Sequence, residues 1–172
     1  MPHHAQFEHW IAAPLEKVFA FFADPLNLPR IMPAWMQIEF EEFIVVPPVG
    51  LPPNFAGLGT RFLASYRALP FLPLRIRSEA EIVGFGINEF FADVQTKGPF
   101  RSWHHRHEFA AENCDGIWGT RARDRMEYQV GFGPLGRIIN ALFIAPQMRR
   151  TFSYRQRVVE QLFSRGPDQA SH

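Results

Sequence analysis

Residues 101–130 read RSWHHRHEFAAENCDGIWGTRARDRMEYQV, and the alternation inside this stretch decides the fold. Up to Glu112, one parity carries Trp103, His105, His107 and Phe109, while the other carries Ser102, His104, Arg106 and Glu108. From Ile117 onward, Trp118, Thr120, Ala122, Asp124, Met126, Tyr128 and Val130 share one parity against Arg121, Arg123, Arg125 and Glu127 on the other. Successive side chains of a strand point to opposite faces, so each half is a strand with one wet and one dry face. Asn113 to Gly116 has turn chemistry, which makes the pair an antiparallel hairpin. Its dry face brings His105, His107, Asp124 and Tyr128 together in apolar surroundings.

The same period of two runs backward from the hairpin. Segments 37–46, 59–68, 74–83 and 88–96 are strand-length and rich in Ile, Phe and Val, with Pro, Gly and Asn at the joins. In 74–83, Leu74, Ile76, Ala80 and Ile82 form the dry parity, and Arg75, Arg77, Glu79 and Glu81 a solvated outer face with cross-strand ion pairs. Segment 88–96 leaves both faces open: Phe90, Ala92 and Val94 oppose Phe91, Asp93 and Gln95, and hydrophobicity alone favours the convex surface for Asp93 and Gln95. Nearer the start, 5–12 reads as a first strand. A helix then begins at Pro14, carries Leu15, Val18, Phe19 and Phe22 at helical spacing, and stops at Asp24-Pro25; a second short helix covers 26–32.

Beyond the hairpin the period becomes helical. Leu135, Ile138, Ile139 and Leu142 form one stripe from Pro134, Pro146 should kink the run, and Met148, Phe152, Val158, Val159, Leu162 and Phe163 continue it to Gly166-Pro167. A helix of up to about 30 residues would be roughly 45 Å long and must lie across the sheet. The expected fold is therefore α+β, one domain over 1–172, with a seven-stranded curved antiparallel sheet, two short helices and one long C-terminal helix. With no second sheet on the concave side, a gap is expected between sheet and helix, unless phenyl rings fill it.

Composition narrows the function classes. Apolar residues make up 47% of the chain and charged residues 20%, with 18 Phe, which excludes disorder. Eighteen basic against 17 acidic residues give a formal charge of +1, without the electrostatic footprint of a nucleic-acid binder. The single Cys114 allows neither an internal disulfide nor a cysteine-based zinc site. With no signal-peptide pattern and no long uncharged stretch, the expectation is a cytoplasmic protein.

The imidazole and carboxylate cluster admits four readings. His105, His107 and Asp124 satisfy one another as a buried network that fixes register. Or they orient the polar end of an apolar ligand. Or one histidine, held by Asp124, acts as general acid or base. Least supported is a metal, because an isolated His-x-His with Asp124 is a weak signal, so no metal or other cofactor is expected. His9 reads as a first-strand histidine satisfied locally. Loops 45–55 and 69–74 are proline-rich and apolar; Phe55, Phe71 and Leu72 in them read as a cover for a pocket mouth, a membrane contact or a dimer contact, against simple packing on the body.

Element order resembles the START-like (SRPBCC) superfamily with its helix-grip fold, as do local motifs. These are Asp93-Val94-Gln95, Gly98-Pro99-Phe100, Trp103-x-His105-x-His107-x-Phe109, Gly119-Thr120, Asp124-x-x-x-Tyr128 and Gly133-Pro134-Leu135-Gly136. They look most like bacterial cyclase/dehydrase-type members, with polyketide cyclases and coenzyme Q-binding proteins as relatives. The resemblance implies a deep hydrophobic cavity for lipids, isoprenoid quinones, sterols or polyketides, and no particular reaction. The expected partner is thus a hydrophobic small molecule, bound by a monomer or homodimer. Expected walls are Phe19, Phe22, Ile76 and Trp103, together with Phe109, Met126, Leu142 and Phe143. His105, His107, Asp124 and Tyr128 would orient its polar end. The alternative is a cyclase or dehydratase using a His–Asp pair in the same cavity.

Overall fold

The structure, a computed structural model, describes residues 2–70 and 73–164. Strand β1 (His3–Ile11) leads into helix α1 (Leu15–Ala23), which starts behind Pro14 and buries Val18, Phe19 and Ala23 along one stripe. The Asp24 carboxylate accepts a hydrogen bond from the Leu26 amide at 3.0 Å, turning the chain into a 3₁₀ turn (Pro25–Asn27) and helix α2 (Leu28–Ile31). Six further strands follow: β2 (Glu39–Ile44), β3 (Arg61–Arg67), β4 (Arg75–Gly86), β5 (Phe90–Lys97), β6 (Phe100–Cys114) and β7 (Ile117–Val130). All pairings are antiparallel, in the spatial order β1-β7-β6-β5-β4-β3-β2. Bulges in β2, β4 and β6 interrupt the ladders, the usual device for bending a sheet.

The central hairpin forms as the alternation dictates. Asp115 and Gly116 both have positive φ, 51° and 86°, as a two-residue turn matching the twist of its strands requires. Ion pairs Arg61–Glu81, Lys97–Glu79, Arg75–Glu39 and Arg77–Glu41 cover the outer face of β4 and its neighbours. They keep that face wet and fix which parity is inside, while adding little stability individually.

The C-terminal helix departs from the expected stripe. It consists of α3 (Gly133–Ile139), a π-helical turn (Asn140–Ile144) and α4 (Ala145–Ser164). Pro146 has no N–H for the carbonyl four residues earlier, and the widened turn lies directly before it. Leu135, Ile138 and Leu142 are all more than half exposed, whereas Ile139 of the same expected stripe is half-buried and turned inward. What faces the sheet instead is Gly136, so close that an added Cβ would sit 2.1 Å from the Gly131 carbonyl oxygen, and buried Asn140, whose side-chain oxygen accepts a hydrogen bond from the Tyr128 hydroxyl at 2.8 Å. Close backbone approach and one buried hydrogen bond, rather than apolar content, set the rotation of this segment.

Two apolar clusters hold the helices on the concave face. One gathers Ile11, Val18, Phe19, Phe91, Phe109 and Val159, with Phe19 edge-on to Phe85, Phe91 and Phe109. The other joins Met126, Tyr128, Met148 and Phe152, with Phe7 stacked on Phe152 at 4.5 Å. No described helix is long and apolar enough to cross a membrane.

Gly136→Ala should therefore destabilise the fold by about 1–3 kcal/mol, because the new methyl meets backbone that cannot rotate away. Gly131→Ala, where nothing lies within 4 Å of the new carbon, is the matched control and should change the urea midpoint little. Equal midpoints for the two variants would show that the helix does not rest on this approach.

Candidate functional site

Over β3 to β6 the sheet and the C-terminal helix do not meet, leaving a cavity of about 630 Å³. This lies within the usual range of about 300–1,000 Å³ for a small-molecule pocket. On the sheet side its wall is Ile76, Ala80 and Ile82 of β4, Phe91 and Asp93 of β5, and Trp103, His105 and His107 of β6. The helix side contributes Phe143, Ile144, Met148, Phe152 and Arg155, and the α1–α2 end contributes Phe22 and Ile31. The wall is mostly apolar, with Ser78, Gln95, Gln147 and Thr151 among its isolated polar groups and one patch of ionisable side chains.

That patch is built by register. Asp93 of β5 lies opposite His105 of β6, and His107 lies opposite Asp124 of β7, so all four point to the concave face. One oxygen of Asp124, Oδ1, lies 2.6 Å from His107 Nδ1 and 3.1 Å from His105 Nε2. The Arg155 guanidinium reaches over from α4, with Nη2 3.6 Å from the same oxygen. Burial opposes ionisation of Asp124, but the Arg155 charge, His107 and the two imidazole hydrogen bonds hold its carboxyl well below the usual carboxylate range. An ionised Asp124 Oδ1 needs donors, which places the proton of His107 on Nδ1 and that of His105 on Nε2. The far nitrogens, His107 Nε2 and His105 Nδ1, then lie on the side of Asp93, with a lone pair on His107 Nε2. Burial, reinforced by neighbouring His105, depresses the His107 pKa to about 3, so its ring is neutral at ordinary pH. Burial pushes the Asp93 carboxyl up.

Of the residues expected in the wall, Phe22, Ile76, Trp103, His105, His107 and Phe143 border the cavity. Phe19 and Phe109 are instead packed into the α1-end cluster, and Met126 into the other. Parity fixes the face of a strand residue, whereas its distance from the strand end decides whether packing or open space meets it. Leu142, 64% exposed, points away from the cavity because of the rotation set by Gly136 and Asn140. Tyr128 does not orient anything in the main cavity, since its hydroxyl is committed to Asn140. Asp124 sits behind the two imidazoles rather than in the wall.

Asp93 and Gln95, expected on the convex surface, line the cavity. Pairing with β6 dictates this face, and the outward Phe90 is covered by the Arg106 guanidinium, 3.6 Å from its ring centroid. Arg155 was not legible as a site residue, although it interrupts the buried row Met148, Phe152 and Val159 at helical spacing and is only 5% exposed. His9 is not satisfied locally: both ring nitrogens are buried without a partner. In the loops, Phe55 is buried in the core while Val46 and Val49 are exposed; Phe71 and Leu72 lie outside the described residues.

A family model for polyketide cyclases, dehydrases and lipid transport matches residues 11–157. Among curated proteins none matches this chain. Protein TTHA0849 from Thermus thermophilus has a similar structure, with a TM-score of 0.66 at 19% identity over 92% of this chain and 95% of that one. A START superfamily protein from Mycobacterium smegmatis superposes with a TM-score of 0.64 at 12% identity, covering 94% and 97% of the two chains. Norcoclaurine synthase from Thalictrum flavum, in complex with dopamine and hydroxybenzaldehyde, gives 0.62 at 13% identity, covering 96% and 88%. At these identities the likeness concerns the fold alone.

Two measurements test the electrostatics of the site. Removing the Arg155 charge leaves Asp124 buried without its cation, so Arg155→Met should cost about 3–5 kcal/mol, and Asp124→Asn combined with it should cost less than the sum of the single changes. Additive losses would mean that the two groups do not interact. For His9, burial lowers the pKa from 6.5 to about 4, with Asp124 opposing and Arg155 and Arg121 assisting the shift. The unfolded chain takes up this proton below about pH 6.5 and the folded chain only near pH 4, so stability falls as pH drops through that window. His9→Leu, which titrates in neither state, should lose about 2–3 kcal/mol less than the parent between pH 7 and pH 4 in urea titrations. Parallel pH curves would place His9 in water.

Proposed function

Because the chain belongs to the family of polyketide cyclases, dehydrases and lipid-transport proteins, we propose that it binds and carries a small to medium hydrophobic molecule with one oxygen-bearing end. Lipids, quinones, polyketides and sterol-like compounds share this chemistry. The observation that carries the reading is a cavity of about 630 Å³ with mostly apolar walls and one fixed polar patch. Apolar burial supplies the affinity, at about 25 cal/mol per Å² of surface removed from water. The His107 Nε2 lone pair suits a hydroxyl or protonated acid, and the Asp124 hydrogen bonds pre-organise both rings, which reduces the ordering cost of binding.

A second reading, turnover by a cyclase or dehydratase, has one observation in its favour: His107 Nε2 faces the cavity while a carboxylate holds Nδ1, the arrangement of an oriented general base. Against it, a ring with a pKa near 3 is a weak proton acceptor. Proton transfer is most effective when the catalytic pKa lies near the working pH, so His107 is poorly suited to that role.

Delipidated protein examined by native mass spectrometry with a panel of hydrophobic compounds should retain those that fit the cavity. Ala80→Phe, which fills it from β4, should weaken retention about tenfold or more, the equivalent of about 1.4 kcal/mol. His107→Ala should weaken an alcohol more than the hydrocarbon of equal length, by the roughly 0.5–1.5 kcal/mol of one hydrogen bond. No retention of any compound, or retention indifferent to Ala80→Phe in folded protein, would refute the carrier. Product formation from a polyketide-like substrate, lost in Asp124→Asn while binding persists, would establish the enzyme instead.

A further inference from the structure

The far nitrogens of His105 and His107 share their side of the patch with the carboxyl group of Asp93. Asp93 Oδ2 lies 3.8 Å from His105 Nδ1 and 3.9 Å from His107 Nε2. These separations are too long for hydrogen bonds. A tetrahedral ion with bonds of about 2.0–2.1 Å sets its ligand atoms about 3.3–3.4 Å apart, so a small inward turn of these side chains would bring them onto one shared ion. One ligand atom from each of Asp93, His105 and His107 falls within 4.8 Å of the others. We infer that these three side chains form a binding site for a divalent first-row transition-metal ion, set in the cavity wall with its remaining coordination positions open to the cavity.

The surroundings of the three ligands fit this assignment. A metal-binding imidazole ordinarily donates its far N–H to a carboxylate, which fixes the tautomer and turns the lone pair to the ion. Asp124 does this for both rings with a single oxygen, at 2.6 Å and 3.1 Å. That is why Asp124, the third ligand suggested by sequence spacing, belongs to the supporting layer, and Asp93 takes the position beside the ion. The Arg155 charge is directed at Asp124, and the Trp103 indole donates to Asp93, whose nearest partners of opposite charge are the imidazoles themselves when protonated. A dication at the three ligand atoms would take the place of those protons. Imidazole nitrogen and carboxylate oxygen together favour zinc, iron(II) or cobalt(II) over calcium and magnesium, which prefer oxygen alone. The site is independent of the carrier reading. Only the further consequence, that the ion would hold the oxygen of a bound ligand, rests on it.

Cobalt(II) is the probe, because its visible bands report inner-sphere ligands. Metal-stripped protein titrated with cobalt chloride should develop these bands to an equimolar endpoint with no organic ligand present. Folded Asp93→Asn and His107→Gln should lose them, and Asp124→Asn should bind about 10–100-fold more weakly. The double variant His3→Ala/His4→Ala, which removes the terminal histidines, should bind like the parent. X-ray absorption of the zinc-loaded parent needs no variant and should show two imidazoles in the first sphere. The proposal is overturned if the parent develops no bands, if the bands persist in folded Asp93→Asn, if the His3/His4 variant abolishes them, or if fewer than two imidazoles bind zinc. Native mass spectrometry of the metal-free protein tests the carrier reading separately, so either proposal can fail alone.

Discussion

A carboxylate ionised inside the protein constrains everything around it. Asp124 is 5% exposed, and removing such a charge from water costs several kcal/mol unless donors replace the water. Two imidazole N–H groups from β6 donate to Oδ1, and the guanidinium of Arg155 on α4 pairs with it by charge at 3.6 Å. This ties the middle of the sheet to the middle of the long helix at a defined height. Sliding α4 by one turn would remove Arg155 from Asp124 and set an apolar side chain against the charge, so the polar belt specifies one registration where apolar contacts alone would accept several.

The belt also divides the apolar packing in two. Along β7, Asp124 separates Ala122 of one apolar cluster from Met126 of the other; along α4, Arg155 separates Phe152 from Val159 in the same way. Each cluster closes with its own aromatic contacts. Between them the Arg155 guanidinium lies over the Phe22 and Phe152 rings, 4.9 Å and 5.3 Å from their centroids, so it braces the helix against both clusters while its charge faces the sheet.

Sheet architecture was legible because alternation is a local signal with a period that each strand repeats many times. The hairpin of residues 100–130 and the outer face of β4 follow directly from it. Depth was not legible: Phe109 and Trp103 share a parity, yet one is packed in a cluster and the other borders the cavity. Nor was the face of β5, where both parities carry phenylalanine and the pairing with β6 alone resolves the choice. The C-terminal helix misled for another reason. Hydrophobic periodicity assumes that the apolar stripe is the buried one, and from Gly133 to Ile144 a glycine contact and an asparagine hydrogen bond override it. Arg155 was hidden by the same assumption, since a charged residue at a core position is meaningful only when its opposite charge is known to lie across from it.

Family membership supplies a cavity; the chemistry lies in what the cavity presents. Here it presents two imidazoles that each donate a proton toward Asp124 and whose far nitrogens lie beside Asp93. A general base needs an imidazole that readily takes up a proton, and burial, with a second imidazole 3.9 Å away from centroid to centroid, works against that for His107. The same features that weaken proton uptake favour lone-pair donation to something else: a hydroxyl hydrogen, or a cation that does not require the ring to gain a proton. Asp93 stands beside both rings, its carboxyl oxygen within 4 Å of each without a hydrogen bond to either. The geometry of the patch is therefore set from behind by Asp124, which fixes both rings and leaves their far nitrogens beside Asp93.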